Sequence, residues 1–279
     1  MSTAISSEKR RSPREIFYRH TAWVRAWHWI NVLAILFLLG SGLNIFNAHP
    51  RLYWGRYGAD ADTPFFSLNS VDGADGATHG MTQLGPWQWD TTGILGWSQY
   101  RGDYSARGWP SWMTIPSFQD LADARHWHFL FAWILAVNLA VYLAWGVWRR
   151  HLQRDILPTR RDLKAIPRSI WDHLRFKHST GEAAKRYNVL QKLAYLGVIV
   201  LICLMVLTGL TMSPAINAFF PWLLDILGGR QSARSLHFIS ATLIVLFIVV
   251  HVAEVFIAGV FNEVRSMITG YFAVPREHD

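Results

Sequence analysis

Four apolar stretches decide what this chain can fold into: Trp27–Phe46, Phe129–Trp148, Leu193–Met212 and Phe238–Phe261. A bilayer core about 30 Å thick is crossed by roughly 20 helical residues. No water reaches the backbone there, so each segment must satisfy its own N–H and C=O groups. The sequence therefore predicts an all-α integral membrane protein, a bundle of four transmembrane helices. Trp27, Trp29, Trp127, Trp133, Trp145 and Trp148 crowd the ends of the first two stretches, as interfacial aromatic belts do.

The net charge of +8 is not a nucleic-acid signature, because of where the cations fall. Residues 1–26 hold six Lys and Arg, 149–192 hold twelve and 262–279 hold two, so 20 of the 27 lie on one side of the predicted bundle. The segment 47–125 has five Arg against eight Asp, and 213–236 has two Arg. The positive-inside rule then places both termini in the cytoplasm of a bacterial inner-membrane protein. The organisation expected is a basic cytoplasmic tail over 1–19, a membrane domain over 20–272 and a short tail over 273–279. The membrane domain includes a long periplasmic loop, 47–125, and a cytoplasmic loop, 149–188, with a short amphipathic helix near Arg168–Phe176. The first apolar segment is too long for a cleavable signal and lacks a small-residue cleavage site. Cys203, the one cysteine, reads as an apolar filler.

Ionisable residues inside apolar spans are costly and usually functional. His251 lies deep in Phe247-Ile-Val-Val-His-Val252, and His237 precedes it by 14 residues. In an α-helix that spacing returns to the same face, about 21 Å along the axis. Helix direction places His128 at the depth of His237 and His28 near the depth of His251, although His28 is the shallower unless its helix begins upstream. Two His pairs stacked across a membrane are the layout of two haems in series. His126 competes with His128; the two point about 200° apart. His128 lies further into the apolar stretch and ends one of three Arg-x-x-His steps: Arg25 to His28, Arg125 to His128 and Arg234 to His237. An arginine one turn before a ligand can meet an anionic haem propionate, though arginines also flank membrane helices for topology alone. Gly42, 14 residues after His28, falls on the same face and leaves room for a porphyrin or for a neighbouring helix.

Other chemistries fit less well. Zinc or non-haem iron wants three or four clustered ligands. Cys-x-x-Cys-His is absent, as are nucleotide-loop and serine-elbow motifs. A transporter or channel would show charged pathways, broken helices or inverted repeats, and a passive anchor would not bury His251.

Several pieces together resemble a known family: Val24-Arg-Ala-Trp-His-Trp-Ile-Asn31, His49-Pro-Arg-Leu-Tyr-Trp-Gly55, Trp127-His-Phe129, Tyr187-Asn-Val-Leu-Gln-Lys192, Gly209-Leu-Thr-Met-Ser-Pro214 and Ala233-Arg-Ser-Leu-His-Phe238. They look like the prokaryotic cytochrome b561-type membrane subunits. These include nickel–iron hydrogenase cytochrome b, formate dehydrogenase gamma and, closest in feel, thiosulfate-reductase-type cytochrome b. The resemblance covers residues 20–272. It implies two b haems, bound by His28, His128, His237 and His251, that exchange electrons between quinone and a periplasmic oxidoreductase, molybdopterin enzymes among them. Glu254, Lys192 and Tyr187 become candidates for the quinone side. The aromatic parts of 47–125, Trp87-Gln-Trp89 and Trp109-Pro-Ser-Trp112, are expected to seat the partner; a solvated loop is the alternative.

Overall fold

A computed structural model describes residues 14–59, 62–175 and 188–275. Tyr187, Phe176 and the basic residues of 1–13 lie outside the described residues. Four helices are long and apolar enough to cross a membrane: α1 (Ala22–Asn47), α2 (Leu121–Trp148), α5 (Val189–Met212) and α8 (Arg230–Thr269). All four overlap the apolar stretches, and α1, α2 and α8 start well upstream of them. Polar caps set some of these starts. Asp120 Oδ1 accepts the Ala122 and Asp123 N–H groups at 2.8 and 3.0 Å, opening α2. Asn188 and Gln191 exchange hydrogen bonds of 2.9 and 3.1 Å at the start of α5, satisfying donors a helix end leaves open. α8 is broken at Gly259, whose φ of 107° and ψ of 85° leave the helical region.

Contacts divide the chain into two compact units. One consists of Met1–Trp27, Gly146–Leu196 and Ile248–Asp279. Here β1 (Arg14–Tyr18) pairs antiparallel with β8 (Tyr271–Pro275) in the register Phe17 to Phe272. Residues 14–18, expected as part of a free tail, are thus a strand. Arg19 lies 4.5 Å over the Phe272 ring and 3.9 Å from Glu263. Gly270 makes the turn from α8 into β8 with φ of 90°, and a Cβ there would run into the Tyr18 ring. Two short helices, α3 (Arg160–Lys164) and α4 (Ile166–Leu174), follow α2. α3 starts in a Thr159–Asp162 capping box, and Asp162 also takes the Lys192 ammonium at 2.9 Å. The Thr159 N–H and that ammonium hold the Asp162 carboxyl at about 2.

The other unit consists of His28–Trp145 and Gly197–Phe247. Phe37 of α1 stacks on Phe131 of α2 at 4.2 Å, and Asn138 donates to Asn31 Oδ1 at 2.6 Å between the same helices. The segment between α1 and α2, read as a loop, is a small β subdomain. β2 (Arg51–Leu52), β3 (Phe66–Asp72), β4 (Thr78–Leu84) and β5 (Trp87–Asp90) form one antiparallel sheet in that order. β6 (Gly96–Tyr100) and β7 (Asp103–Arg107) form a hairpin. Phe46, Leu52 and Leu68 are its buried centre, packed by Phe66, Trp109 and Phe238. Beyond α5, α6 (Pro214–Phe219) and α7 (Trp222–Ile226) lead into α8. The start of α8 is tied to the subdomain by Ser235 Oγ donating to the Tyr53 carbonyl and Gly55 N–H donating to Ser232 Oγ, at 2.6 and 2.7 Å.

His79 is clamped on this subdomain between Asp90 at 3.0 Å and Asp75 at 3.1 Å. Hydrogen bonds to the two carboxylates, Asp75 first, raise its pKa above the ordinary value. A raised histidine pKa stabilises the fold below the unfolded value of about 6.5, and that contribution is lost as pH rises through the folded value. The turn joining β3 and β4 is therefore expected to loosen on the alkaline side of the His79 titration. Amide exchange at 73–79 should accelerate there in wild type but show no such step in His79→Gln.

Candidate functional site

The structure brings His128 of α2 and His237 of α8 face to face, with ring centres 6.3 Å apart and planes inclined by 57°. Each ring is held from behind by a hydroxyl on a neighbouring helix. Ser41 Oγ of α1 donates to the Phe37 carbonyl at 2.6 Å and lies 3.1 Å from His128 Nδ1. Thr208 Oγ1 of α5 donates to the Leu204 carbonyl at 2.7 Å and lies 2.9 Å from His237 Nδ1. A hydroxyl has one proton to give, and in both cases the carbonyl four residues back takes it. The hydroxyl then presents a lone pair to the ring, so Nδ1 carries the proton and Nε2 keeps its lone pair. That tautomer is the one a metal ligand needs, set by the bond its other nitrogen makes.

The spacing fits one metal between the rings. An imidazole nitrogen bonds a metal at about 2 Å and the ring centre lies about 1 Å behind it, so two rings on opposite sides of one ion sit about 6 Å apart. Beside each hydroxyl is a glycine against the same ring. A Cβ on Gly42 would lie 3.3 Å from His128 Cε1, and one on Gly209 would lie 3.5 Å from His237 Cε1. Gly42 therefore lets α1 approach the histidine itself, rather than only clearing space for a porphyrin.

Donors suited to propionates gather at the same end of α1 and α8. Arg234 is mostly buried, donates to the His49 carbonyl and lies 5.6 Å over the Phe46 ring. Trp109 Nε1 and Tyr53 Oη are buried and have no hydrogen-bond partner among the described residues. A buried polar atom left unpaired is costly, and anionic carboxylates would satisfy both. This donor set and the paired histidines fit a haem.

The remaining candidates are placed as follows. His126 faces outward, its side chain 82% exposed and 4.0 Å from Asp123. Arg125 is exposed. Arg25 donates to the Ile268 carbonyl near the end of α8. His28 and His251, one in each unit, are both half-buried on their helices. Glu254 is half-buried, and Lys192 is paired with Asp162. Of the aromatic loop residues, Trp87, Trp89 and Trp112 are exposed. Trp109 is not a docking residue of that kind; it packs into the subdomain against Phe238 at 6.5 Å. Sequence reasoning missed Ser41, Thr208, Gly209, Tyr53 and the inward role of Trp109. The repeated hydroxyl–glycine pair, Ser41-Gly42 and Thr208-Gly209, was the available signal.

Comparison with known proteins identifies the family. A family model described as prokaryotic cytochrome b561 matches residues 19–270. A relative from Azospira oryzae, provisionally named a protein-methionine-sulfoxide reductase subunit (YedZ1), is 30% identical over 258 residues, which are 92% of this chain and 99% of the relative. That name does not point to the thiosulfate-reductase branch. With its four spanning helices, its facing histidines and a match over nearly its whole length, the chain belongs to the prokaryotic cytochrome b561 family of membrane electron carriers, whose prosthetic group is haem b.

Proposed function

We propose that the chain binds two b haems and passes electrons from a membrane quinol to a periplasmic oxidoreductase. The observation that carries this reading is the facing His128–His237 pair, each Nδ1 within hydrogen-bond distance of a hydroxyl, Ser41 for His128 and Thr208 for His237. The second haem rests on sequence: His251 shares a face with His237, 14 residues further along α8, and His28 lies in α1, which begins upstream of it at Ala22. Bound haem supplies reversible one-electron chemistry where a bare charge could not cross hydrocarbon. His128 and His237 would hold one iron, His28 and His251 the other. Arg234, Tyr53 and Trp109 would hold propionates. Apolar side chains such as Phe37 and Phe131 exclude water between the helices.

The name of the Azospira relative supports a partner that reduces methionine sulfoxide in proteins, and a molybdopterin enzyme is suited to such oxygen removal. The stoichiometry closes: a sulfoxide takes two electrons and two protons to give a thioether and water, and one quinol releases two of each. Charge distribution supports an inner-membrane location with cytoplasmic termini, and β1–β8 pairing supports both ends lying on one side.

The test is a reduced-minus-oxidised spectrum and haem count on purified protein. Two protohaems per chain, both reduced by a quinol, are expected; one haem or none overturns the di-haem reading. Docking has its own test. Trp87→Ser, Trp89→Ser and Trp112→Ser together should leave the haem spectrum intact, since all three are exposed, and slow quinol-to-partner electron transfer at least tenfold. Unchanged transfer would show that these residues seat nothing.

A further inference from the structure

The β subdomain carries a half-open cavity of about 250 Å³. It lies where the end of α1 meets β2, β3 and the β6–β7 hairpin, and its polar walls are Asn47, Arg51, Asn69, Ser70 and Arg107. No Asp or Glu is among the described residues that line it. Arg107 is 3% exposed. Among the described residues it makes one side-chain hydrogen bond, from Nη2 to Thr114 Oγ1 at 3.1 Å, and lies 5.4 Å over the Tyr100 ring. Its Nε is buried without an acceptor. A guanidinium has five N–H donors, and a buried cation without a counter-charge is strongly disfavoured. No acidic side chain pairs with Arg107 among the described residues, which leaves its guanidinium able to take an anion from solution.

The walls are fixed in advance. Asn47 both accepts from and donates to the Trp109 backbone, at 2.7 and 3.2 Å. Asn69 accepts from Arg51 Nε at 3.2 Å and donates to Ser67 Oγ at 2.9 Å. Two guanidinium groups, one on β2 and one on β7, thus line one rigid cavity. Planar guanidinium forks match the oxygens of carboxylate and phosphate groups. A water molecule's share of liquid volume is about 30 Å³, so the cavity has room for an oxyanion of about five heavy atoms together with a few waters.

We propose that this cavity binds a small free oxyanion of the phosphate, sulfate or carboxylate class, held by Arg107 and Arg51. The inference does not rest on the electron-transfer reading. The bound ion would join β7 to β2 and so brace the subdomain at the end of α1. The test is calorimetric titration of the haem-loaded, detergent-purified chain with inorganic phosphate, then sulfate, then acetate, at constant ionic strength with chloride as control. Saturable binding of one such ion per chain is expected, with chloride inert. Arg107→Gln should weaken it at least tenfold. Arg51→Gln, at a more accessible position, should weaken it comparably and decides the matter if Arg107→Gln does not fold. Absence of saturable binding by all three anions overturns the proposal, as does equal affinity in wild type and Arg51→Gln. A haem propionate seated in the cavity would also overturn it, and would give no phosphate binding together with a shifted haem absorption band in Arg107→Gln.

Discussion

His128→Ala is expected to lose the haem proposed for the His128–His237 pair, and His126→Ala is expected to keep it. The two residues are neighbours on one helix and carry the same chemistry, so only geometry separates them. His128 faces His237 at 6.3 Å between ring centres, whereas the His126 side chain is 82% exposed beside Asp123. Removing His128 takes away one of the two imidazoles that would hold the haem iron and leaves Ser41 Oγ facing a void. Removing His126 costs only a solvent-exposed contact with Asp123, worth at most about 1 kcal/mol. The haem content of purified variants, counted against wild type, checks this. Retention of haem in His128→Ala with its loss in His126→Ala would mean that α2 is rotated from the orientation described. Ser41→Ala and Thr208→Ala form a graded companion. Each should retain haem but shift its midpoint potential, because the Nδ1–H partner sets how strongly Nε2 donates to iron.

Leu68→Ala is expected to destabilise the β subdomain by about 2–5 kcal/mol, the range for a fully buried leucine whose site collapses only partly. Leu68 is 1% exposed and packs with Phe46 of α1, Leu52 of β2 and Phe238 of α8. Val71→Ala, on the same strand but 52% exposed, should change stability by about 0.5 kcal/mol or less. Hydrogen exchange of the β3 and β4 amides reads this directly. Protection should fall about 30-fold or more in Leu68→Ala and hardly at all in Val71→Ala. Equal protection in both variants would show that Phe46, Leu52 and Leu68 are not the centre of the subdomain. Because Phe238 follows His237 in the chain, the Leu68 variant also tests whether the subdomain steadies the site: its haem band should broaden relative to Val71→Ala.

Local signals made much of the fold legible. A run of about 20 apolar residues can only cross hydrocarbon as a helix, so the spans of α1, α2, α5 and α8 were readable to within a turn or two. Their polar extensions were not, because helices continue into water wherever an Asp120 or Asn188 caps them. The 14-residue step from His237 to His251 was readable because helical phase depends on spacing alone. The segment 47–125 showed aromatic and glycine-rich composition, but its strands alternate weakly and pair over many residues, so the sheet itself was hidden. The same holds for β1 and β8, which lie some 250 positions apart in the numbering and are joined by backbone hydrogen bonds that no local pattern records.

The sequence by itself determined that four helices cross a membrane and which histidines lie deep enough to matter, since hydrophobic length and helical period are properties of consecutive residues. Only the tertiary structure decided how α2 is turned, bringing His128 rather than His126 to His237, and that Trp109 points inward while Trp112 stays outside. It also supplied the hydroxyl behind each imidazole, from Ser41 across 87 positions and from Thr208 across 29. Those choices depend on which faces meet when helices pack, and the energy of that meeting is shared among residues far apart in the chain.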